Sequence, residues 1–352
     1  MFVCVGGYTT PDRDGHGNGI NVYRVEPDHR AWTHLQLVDG LENPSLFTLN
    51  RDNTRLYAVH GARSLVSAFA IDNSSGRLTL LNQMNCGGWN PVDSALDPTE
   101  RFLVIGNYDS GTVAVMPLGD DGRLHPVTQL ETLTGTPGPD PHHQASSHPH
   151  AVIFDPSGRF VIVPDKGFDR TFFFRFADGR ISATEQGFIT ARAGAAPRHA
   201  TFHPSLPILY VNNELDSTVT AFRWDSATGH VVESQTVSTI PGGHAGRNTT
   251  AEIVASACGR YVYVSNRGQD SIVLFTVDSR TGHLTYVGYT PTGGRRPRFF
   301  AVDPTGRYLY AANQDSDDIV GFRLDAATGT LAPTGLVVKL GSPSAISFVP
   351  AS

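Results

Sequence analysis

A short hairpin motif recurs along this chain, and it constrains the possible fold more than any other feature of the sequence. In the clearest copy, two apolar runs, 151–154 and 160–163, flank the tetrapeptide Asp-Pro-Ser-Gly at 155–158. Proline fixes φ at the second turn position, aspartate hydrogen bonds to the following backbone, and glycine tolerates positive φ. Two apolar runs around such a turn predict a β-hairpin.

Six full copies of the hairpin begin near residues 43, 90, 148, 196, 250 and 296. Each copy continues with a polar loop, a third apolar run, a glycine turn and a fourth run. Self-similarity at a spacing of about 50 residues, with four strand-like runs per unit, predicts a β-propeller. The turn after the first strand carries an arginine in five copies and a proline in the fourth: Arg55, Arg101, Arg159, Pro207, Arg260 and Arg307.

The two ends of the chain have the pattern of one further unit that is split between them. Residues 341–349 have the pattern of a first strand, and residues 2–8, 19–25 and 32–38 have those of the other three. Joining the ends in one blade removes an exposed sheet edge. We therefore predict an all-β fold: a seven-bladed β-propeller with four-stranded antiparallel blades, its ring closed by N- and C-terminal strands, with residues 1–352 in a single domain.

Composition excludes several classes of protein. The 36 glycines and 23 prolines suit a turn-rich all-β chain, and no long segment has apolar residues at helical spacing. A net charge of −6 without a basic stripe argues against a nucleic-acid partner. The apolar runs are too short to span a membrane.

Three widely separated cysteines favour a reducing, cytoplasmic setting. We also expect a monomer or weak homo-oligomer.

Topology predicts which polar residues meet. Because strands alternate in direction, the starts of the first strands and the ends of the second strands share one face of the propeller. First strands line the central channel, so these groups should converge on its mouth, with the turn arginines on the opposite face as structural residues. The residues at these positions are His148, His150, Arg198, His199, Glu252 and Arg298 from first strands, and Glu214, Arg267, Gln314 and Asp315 from second strands.

These residue types have both structural and functional interpretations. Histidines titrate near neutrality and serve in acid–base catalysis, but they also fix strand entries. Arginines form fork-shaped sites for carboxylate or phosphate, but they also pair across blades. The concentration of charge in four of the blades favours a site for a small anionic molecule. Two longer connections, 134–147 and 241–250, are candidate site loops.

Motifs of known enzymes narrow the chemistry further. The sequence has no Gly-x-Ser-x-Gly elbow, phosphate loop or dinucleotide fingerprint, so a hydrolase would have to activate water. The pair His142 and His143 could suggest a metal, but no cysteine or acidic residue has ligand spacing to it. We therefore expect no metal and no cofactor.

Several motifs together resemble one known family. They are His148-Pro-His150, Pro197-Arg198-His199 with Asn213-Glu214-Leu215, Ala251-Glu252-Ile253 with the run 265–268, Pro297-Arg298-Phe299 with the run 313–315, and the opening Gly6-Gly7-Tyr8-Thr9. The chain resembles the seven-bladed lactonase family, which includes bacterial propeller-type 6-phosphogluconolactonase and fungal carboxy-cis,cis-muconate cyclase. The resemblance covers nearly the whole chain. The departures, at 205–207 and 256–258, fall on the face opposite the candidate site.

The resemblance implies metal-free chemistry on small carboxylate-bearing lactones, with catalytic residues His148, Arg198, Glu214 and Arg298. Arg198 and Arg298 would hold the substrate anion and the developing oxyanion, while His148 or Glu214 would move the proton. Substrate contacts are predicted for His150, His199, Glu252, Arg267, Gln314 and Asp315. Three functions stay open: a hydrolase acting on a lactone such as 6-phosphogluconolactone, a muconate-type lactonizing cyclase, and a non-catalytic ligand-binding propeller.

Overall fold

The computed structural model describes residues 1–242 and 244–350. Its strands form seven sheets of four antiparallel strands each. The first fourteen strands are β1 (Phe2–Gly7), β2 (Ile20–Val25), β3 (Trp32–Val38), β4 (Pro44–Leu49), β5 (Arg55–His60), β6 (Leu65–Ile71), β7 (Leu78–Asn85), β8 (Pro91–Leu96), β9 (Phe102–Asn107), β10 (Thr112–Pro117), β11 (Gln129–Thr132), β12 (Ile153–Phe154), β13 (Phe160–Asp165) and β14 (Arg170–Ala177).

The remaining strands are β15 (Arg180–Thr190), β16 (Pro197–Phe202), β17 (Ile208–Asn213), β18 (Thr218–Asp225), β19 (His230–Ser238), β20 (Thr249–Ala255), β21 (Tyr261–Arg267), β22 (Ser271–Val277), β23 (Leu284–Pro291), β24 (Pro297–Val302), β25 (Tyr308–Asn313), β26 (Asp318–Leu324), β27 (Leu331–Lys339) and β28 (Pro343–Val349). Within the described ranges, the helices are two 3-10 turns, Pro11–Arg13 and Gln314–Ser316. No helix of this part of the chain could cross a membrane.

The sheets are the predicted blades, arranged in a ring. We number them by their strands: blade 1 is β4–β7, blade 2 is β8–β11, blade 3 is β12–β15, blade 4 is β16–β19, blade 5 is β20–β23 and blade 6 is β24–β27. Blade 7 combines β28 with β1, β2 and β3, and Val5 pairs with Ile346 across its two chain ends. The predicted seven-bladed propeller and its closure are therefore confirmed.

Apolar side chains between the blades form the core. Each second strand is buried on both sides, because its successive side chains point to opposite neighbouring blades. In β9, Leu103 and Ile105 pack toward blade 1, and Val104 packs toward blade 3. Seven such apolar clusters occupy the seven interfaces of the ring. The ring therefore holds each first strand at a fixed distance from the channel axis.

The aspartate turns lie on the face opposite the candidate site, where the sequence places them. The carboxylate of Asp155 accepts hydrogen bonds from the amides of Arg159 and Phe160, both at 2.9 Å. The turn arginines reach the next blade: Arg159 donates to the carbonyl of Ser226, and Arg260 donates to that of Ala326 at 2.5 Å. These contacts agree with a structural role for the turn arginines.

A one-residue register shift occurs near the start of every first strand. In blade 4, Pro197 pairs with Asn213 but His199 pairs with Asn212, so Arg198 has no partner of its own. Equivalent shifts occur in the other six blades. A bulge of this kind re-aims side chains, which brings two consecutive residues of each first strand to the channel.

Candidate active site

Structurally equivalent positions form rings around the channel mouth. The outermost ring consists of the residues that end or immediately follow the second strands, and in six blades their amides donate to the carbonyl just before the first strand. For Glu214 this bond goes to Ala196 at 2.7 Å, and for Lys166 it goes to His148 at 3.0 Å. The members of this outer ring are Tyr8, Gly61, Tyr108, Lys166, Glu214, Arg267 and Gln314.

Two inner rings come from the bulged first strands. The upper of these contains Ser45, Val92, His150, Arg198, Ala251, Arg298 and Ser344. The ring one residue deeper contains Leu46, Asp93, Ala151, His199, Glu252, Phe299 and Ala345. Charged and histidine side chains are concentrated in blades 3 to 6, which agrees with the uneven charge distribution of the sequence.

A cavity of about 340 Å³ lies at the mouth, and its walls include His150, Lys166, Glu214 and Arg298. A second cavity of about 350 Å³ shares the Glu214 wall and extends outward to Arg247, Arg295, Arg296 and Asp315. Larger grooves occur on the opposite face, but they lie far from these charged rings. The mouth cavity is of the size that small-molecule sites usually have.

Glu214 is the centre of a buried ionic cluster. Its Oε1 lies 2.7 Å from Nζ of Lys166 and 3.2 Å from Nη2 of Arg267. Its Oε2 lies 3.1 Å from Nε of Arg198, although that N–H group is not directed at it as a hydrogen bond. The four side chains come from three consecutive blades, and each is at most 7% exposed. One carboxylate therefore neutralises part of a group of three cations.

The cluster sets the protonation state of its members. Burial favours the neutral form of Glu214, but Lys166, Arg267 and Arg198 outweigh burial and hold the pKa of its carboxyl well below the usual range. Burial lowers the pKa of Arg198 to about 9, and the neighbouring Arg267 and Arg298 add to this effect. Burial also lowers the pKa of Lys166, against the attraction of Glu214. Glu214 is thus a stable anion and a weak base.

His199 and Glu252 form a second pair deeper in the channel. Nδ1 of His199 lies 3.1 Å from Oε1 and 3.0 Å from Oε2 of Glu252. The amide of Ile253 donates to Oε1 at 3.0 Å and fixes the carboxylate. Burial lowers the pKa of His199, and Glu252 partly opposes that effect. The imidazole is therefore held by a carboxylate in the manner of catalytic histidines.

The two histidines of the His-Pro-His motif have different surroundings. His148 donates from Nδ1 to the carbonyl of Tyr108 at 3.0 Å, and its ring stacks on that tyrosine at 4.3 Å. Its side chain is not part of the cavity walls, and its predicted catalytic role stays a prediction. His150 does line the cavity, and its buried Nδ1 has no hydrogen-bond partner among the described residues. Because of the bulge, the side chain of His150 faces the channel and that of His148 does not.

Arg298 reaches the cavity from blade 6. Its guanidinium lies 5.1 Å from the ring centre of Tyr8, and Arg13 approaches the same ring at 6.0 Å. Aromatic faces attract cations and hold them without neutralising their charge. Arg298 lines the cavity and makes no hydrogen bond or ion pair within the described residues, unlike Arg198, which donates from Nη1 to the carbonyl of Ala251.

The predicted residues of blade 6 contribute unequally. Asp315 lies at the outer rim, 3.8 Å from Nη1 of Arg296. Gln314 occupies the outer ring but is not part of either cavity wall. Lys166, Tyr108 and Tyr8 also line the cavity, although our sequence-based assignment of site residues did not include them. Their signal was available in the repeat, because all three occupy the position that Glu214 and Arg267 occupy in their own blades.

Comparisons with known proteins agree with this geometry. The profile of the family described as "Lactonase, 7-bladed beta-propeller" matches residues 2–348. The chain belongs to this family. It is 34% identical to a 6-phosphogluconolactonase of Bacillus subtilis (strain 168) over 302 residues, covering 85% of each chain.

Another relative and a solved structure are also named as lactonases. A 6-phosphogluconolactonase of Formosa agariphila is 32% identical, over 82% of this chain and 83% of the relative. The structure of the Pseudomonas aeruginosa periplasmic gluconolactonase PpgL superposes with a TM-score of 0.92 at 32% identity, covering 100% of this chain and 99% of that one. The predicted family resemblance is confirmed, and the chain is a lactone hydrolase.

Proposed function

We propose that this lactonase hydrolyses a phosphorylated sugar-acid lactone of the 6-phosphogluconolactone type in the cavities at the channel mouth, by general acid–base catalysis without a metal ion. The observation that carries the proposal is the charge of the walls. Among the described residues, seven lysines and arginines line the two mouth cavities against three carboxylates, in a chain whose net charge is −6. Such a local excess attracts and holds a small anion.

The inner cations suit the lactone carbonyl. Arg298 lines the cavity without a hydrogen bond or ion pair among the described residues, and Lys166 in the same wall and Arg198 next to the small space below it add positive potential. Preorganised donors and charges of this kind stabilise the oxyanion that forms when water attacks an ester carbonyl. Glu214 holds Lys166 and Arg198 in position. Its low pKa makes it a poor acceptor for the proton of water, so we assign it a positioning role.

The outer cations suit a phosphate group. Arg247, Arg295 and Arg296 lie at the rim of the second cavity, where they are exposed, and Arg247 donates to Nε2 of His143 at 2.8 Å. Arginine forks match the geometry of phosphate oxygens. A substrate with its carbonyl at Arg298 and its phosphate at this rim would use both cavities. The names of the two curated relatives, both 6-phosphogluconolactonases, support this substrate type.

A substrate panel tests the proposal. We expect turnover of 6-phosphogluconolactone, followed by release of acid in a pH-stat and corrected for spontaneous hydrolysis. Removal of the phosphate, as in glucono-δ-lactone, should raise KM by at least about 10-fold, the effect of losing one charge-assisted contact. Equal kinetics on both lactones would contradict the phosphate assignment, and ring closure of a muconate in place of hydrolysis would contradict the proposed reaction.

Treatment of the enzyme with a chelator tests whether the reaction proceeds without a metal ion. The described residues include no group of three histidine, cysteine or acidic side chains arranged to bind a metal. We expect rates after dialysis against EDTA to equal those of the untreated enzyme. Loss of activity that returns with added Mg²⁺, Zn²⁺ or Ca²⁺ would overturn this part of the proposal.

A further inference from the structure

A small space lies directly below the mouth cavity. Its volume is about 20 Å³, and it is bounded by His150, Arg198 and Arg298 of the upper inner ring and by His199 of the deeper ring. His150 and Arg298 also line the larger cavity above, so the two spaces adjoin. A buried site of about 10–15 Å³ or more, measured in this way, accommodates one water molecule.

The walls of this space supply polar atoms that suit a water molecule. Oγ of Ser45, Nδ1 of His150 and Nε of Arg198 are buried and have no hydrogen-bond partner within the residues the structure describes. Buried polar atoms in native proteins are nearly always satisfied, and buried water usually makes two to four hydrogen bonds to such groups. These atoms belong to residues of blades 1, 3 and 4, so the space is bounded by polar groups from more than one blade.

His199 adds a proton acceptor to the same space. Because a carboxylate only accepts hydrogen bonds, its contact with Glu252 requires the proton of the imidazole to be on Nδ1. The opposite nitrogen, Nε2, then carries a lone pair, and within the described part of the chain the ring makes its only hydrogen bond through Nδ1. The carboxylate is itself fixed by the amide of Ile253.

We propose that this space binds the hydrolytic water and that His199, oriented by Glu252, is the general base that activates it. This inference rests on the proposed lactone hydrolysis and names the group that moves the proton. It replaces the sequence-based choice between His148 and Glu214. The first lies outside the cavity walls, and the second is bound by three cations.

The reaction balances with groups at the site. The water oxygen forms a bond to the lactone carbonyl carbon while its proton moves to Nε2 of His199, and the carbonyl oxygen becomes an oxyanion beside Arg298. Collapse of this intermediate breaks the ring C–O bond. The departing ring oxygen takes the proton from the imidazolium, which restores neutral His199. The product is the open hydroxy acid, whose carboxyl group releases its proton to solvent.

Other groups around His199 are less suited to this role. The carboxylate of Asp93, whose pKa burial raises to about 7, already accepts the amides of Val152 and Ser94, both at 2.8 Å. His150 faces the same space, but burial and the positive charge of Arg198 hold its pKa well below the usual range and make it a weaker base. Glu252 increases the basicity of His199, whereas burial, Arg198 and Arg298 decrease it.

The test uses His199→Gln and Glu252→Gln with the substrate that the wild-type enzyme turns over. We expect each variant to lose at least about 10²-fold in kcat, the usual contribution of a general base. Affinity for the product 6-phosphogluconate, measured by calorimetry, should stay within about 3-fold, since the outer cations that would hold its phosphate are untouched. The matched controls His230→Gln and Glu185→Gln change exposed residues of outer strands and should behave as wild type.

A pH profile separates a catalytic role from a structural one. Because the pKa of His199 is lowered, its neutral form predominates at neutral pH, and kcat should fall on acidification below about pH 6.5 as it becomes protonated. His199→Gln should remove this acid limb. The groups near His199 that also titrate or carry charge are Glu252, Arg198, Arg298, His150 and Asp93. Because Glu252 raises the pKa of His199, Glu252→Gln should move the acid limb of the kcat profile to lower pH without removing it.

The outcomes distinguish the two proposals. Wild-type hydrolysis with unchanged kcat in both variants would reject His199 as the base and leave the lactonase function intact. Loss of product binding or of the thermal transition in parallel with kcat would indicate a structural role and also reject the inference. Failure of the wild-type enzyme to hydrolyse any lactone in the panel would instead reject the proposed function.

Discussion

Glu214 determines the local electrostatics of the candidate site. It lies between Lys166 of blade 3 and Arg267 of blade 5, and it also contacts Arg198 within its own blade. Buried cations at this spacing repel one another, and a single anion lowers that cost. The remaining positive charge is available to a substrate anion. The carboxylate therefore contributes to catalysis through the residues that it holds.

Removing this charge should affect both stability and activity. We expect Glu214→Gln to lower the free energy of unfolding by about 3–5 kcal/mol, because it leaves three buried cations without their counter-ion. Activity should fall as Arg198 and Lys166 move. The control is Glu42→Gln, since Glu42 pairs with Arg63 at 2.9 Å on the surface and should contribute at most about 1 kcal/mol. Equal values from urea denaturation for the two variants would contradict this interpretation.

The stability difference between wild type and Glu214→Gln should depend on pH. The pKa of Glu214 in the folded protein lies below its unfolded value of about 4.5. Its stabilisation is therefore fully present above that value and is lost as the pH falls through the folded pKa. Urea denaturation at about pH 7 and about pH 3.5 should show a smaller difference between wild type and Glu214→Gln at the acidic pH. A difference that grows on acidification would contradict the assignment.

Arg296 tests the role of the outer rim. It is exposed, and its Nη1 is 3.8 Å from Asp315, so its loss should not disturb the core. We expect Arg296→Ala to raise KM for the phosphorylated lactone by about 10-fold or more with little change in kcat. Kinetics on the lactone without phosphate should be unchanged. Arg323→Ala, on the opposite face, is the control, and an equal effect on both substrates would argue against a phosphate contact.

At the scale of elements, the bulged first strand positions the site. A regular strand would direct alternate residues away from the channel. The register shift instead brings Arg198 and His199 to neighbouring levels of the same channel. Five of the residues that immediately precede these strands have positive φ, which marks the sharp entry: Asn43, Asn90, Ala196, Arg296 and Ser342. The chemistry therefore depends on a local backbone feature that every blade shares.

The hairpin turns offer a matched test of contact between blades. Gly158 and Gly306 occupy the same turn position with φ of 69°. A Cβ on Gly158 would lie 1.9 Å from Cγ of Pro98 in blade 2, whereas one on Gly306 would meet nothing within 4 Å. Gly306→Ala should therefore cost about 1 kcal/mol for its backbone alone, and Gly158→Ala at least about 2 kcal/mol more. Equal losses in urea denaturation would show that the turns do not constrain the packing of adjacent blades.

The whole molecule depends on the closure of the ring in blade 7. There the last strand of the chain pairs with the first, and Cys4 lies opposite Ser347. This pairing holds blade 6 and blade 1 against a complete sheet. Whether residues 1–352 form a single domain stays a prediction, and residues 243, 351 and 352 lie outside the described part of the chain.

A disulfide across this pair should stabilise the fold. Ser347→Cys places a second thiol directly opposite Cys4, at a spacing that antiparallel neighbours share with disulfides. Because the crosslink would close a loop of nearly the whole chain, we expect oxidation to raise the free energy of unfolding by about 2–4 kcal/mol. The reduced variant is the control, and one cooperative transition is expected in both states. No gain on oxidation would contradict the stabilisation expected from closing this loop.

Cellular location stays a prediction. The structure has three free cysteines within its described ranges: Cys4 and Cys86 are buried, and Cys258 is exposed. This is compatible with the reducing compartment that we expected from the sequence, but the Pseudomonas aeruginosa relative is named as periplasmic. The fold itself therefore does not discriminate between compartments.

The sequence by itself determined the architecture of this protein. Turn chemistry and strand alternation are local properties that repeat about every 50 residues, so they predicted seven blades, the split blade and the face of the site. They also placed Arg198, Glu214, Arg298 and His199 at the channel mouth, and the structure brings all four there. The enzymatic roles of these residues stay proposals.

The tertiary structure alone decided which of these groups contact one another. Glu214 meets Lys166 and Arg267 from neighbouring blades, about 50 residues away on either side, and no local pattern specifies that contact. A one-residue bulge brought His150 to the cavity and left His148 against Tyr108. The physical reason is that protonation depends on burial and on charges brought close by folding, whereas secondary structure depends mainly on neighbours along the chain.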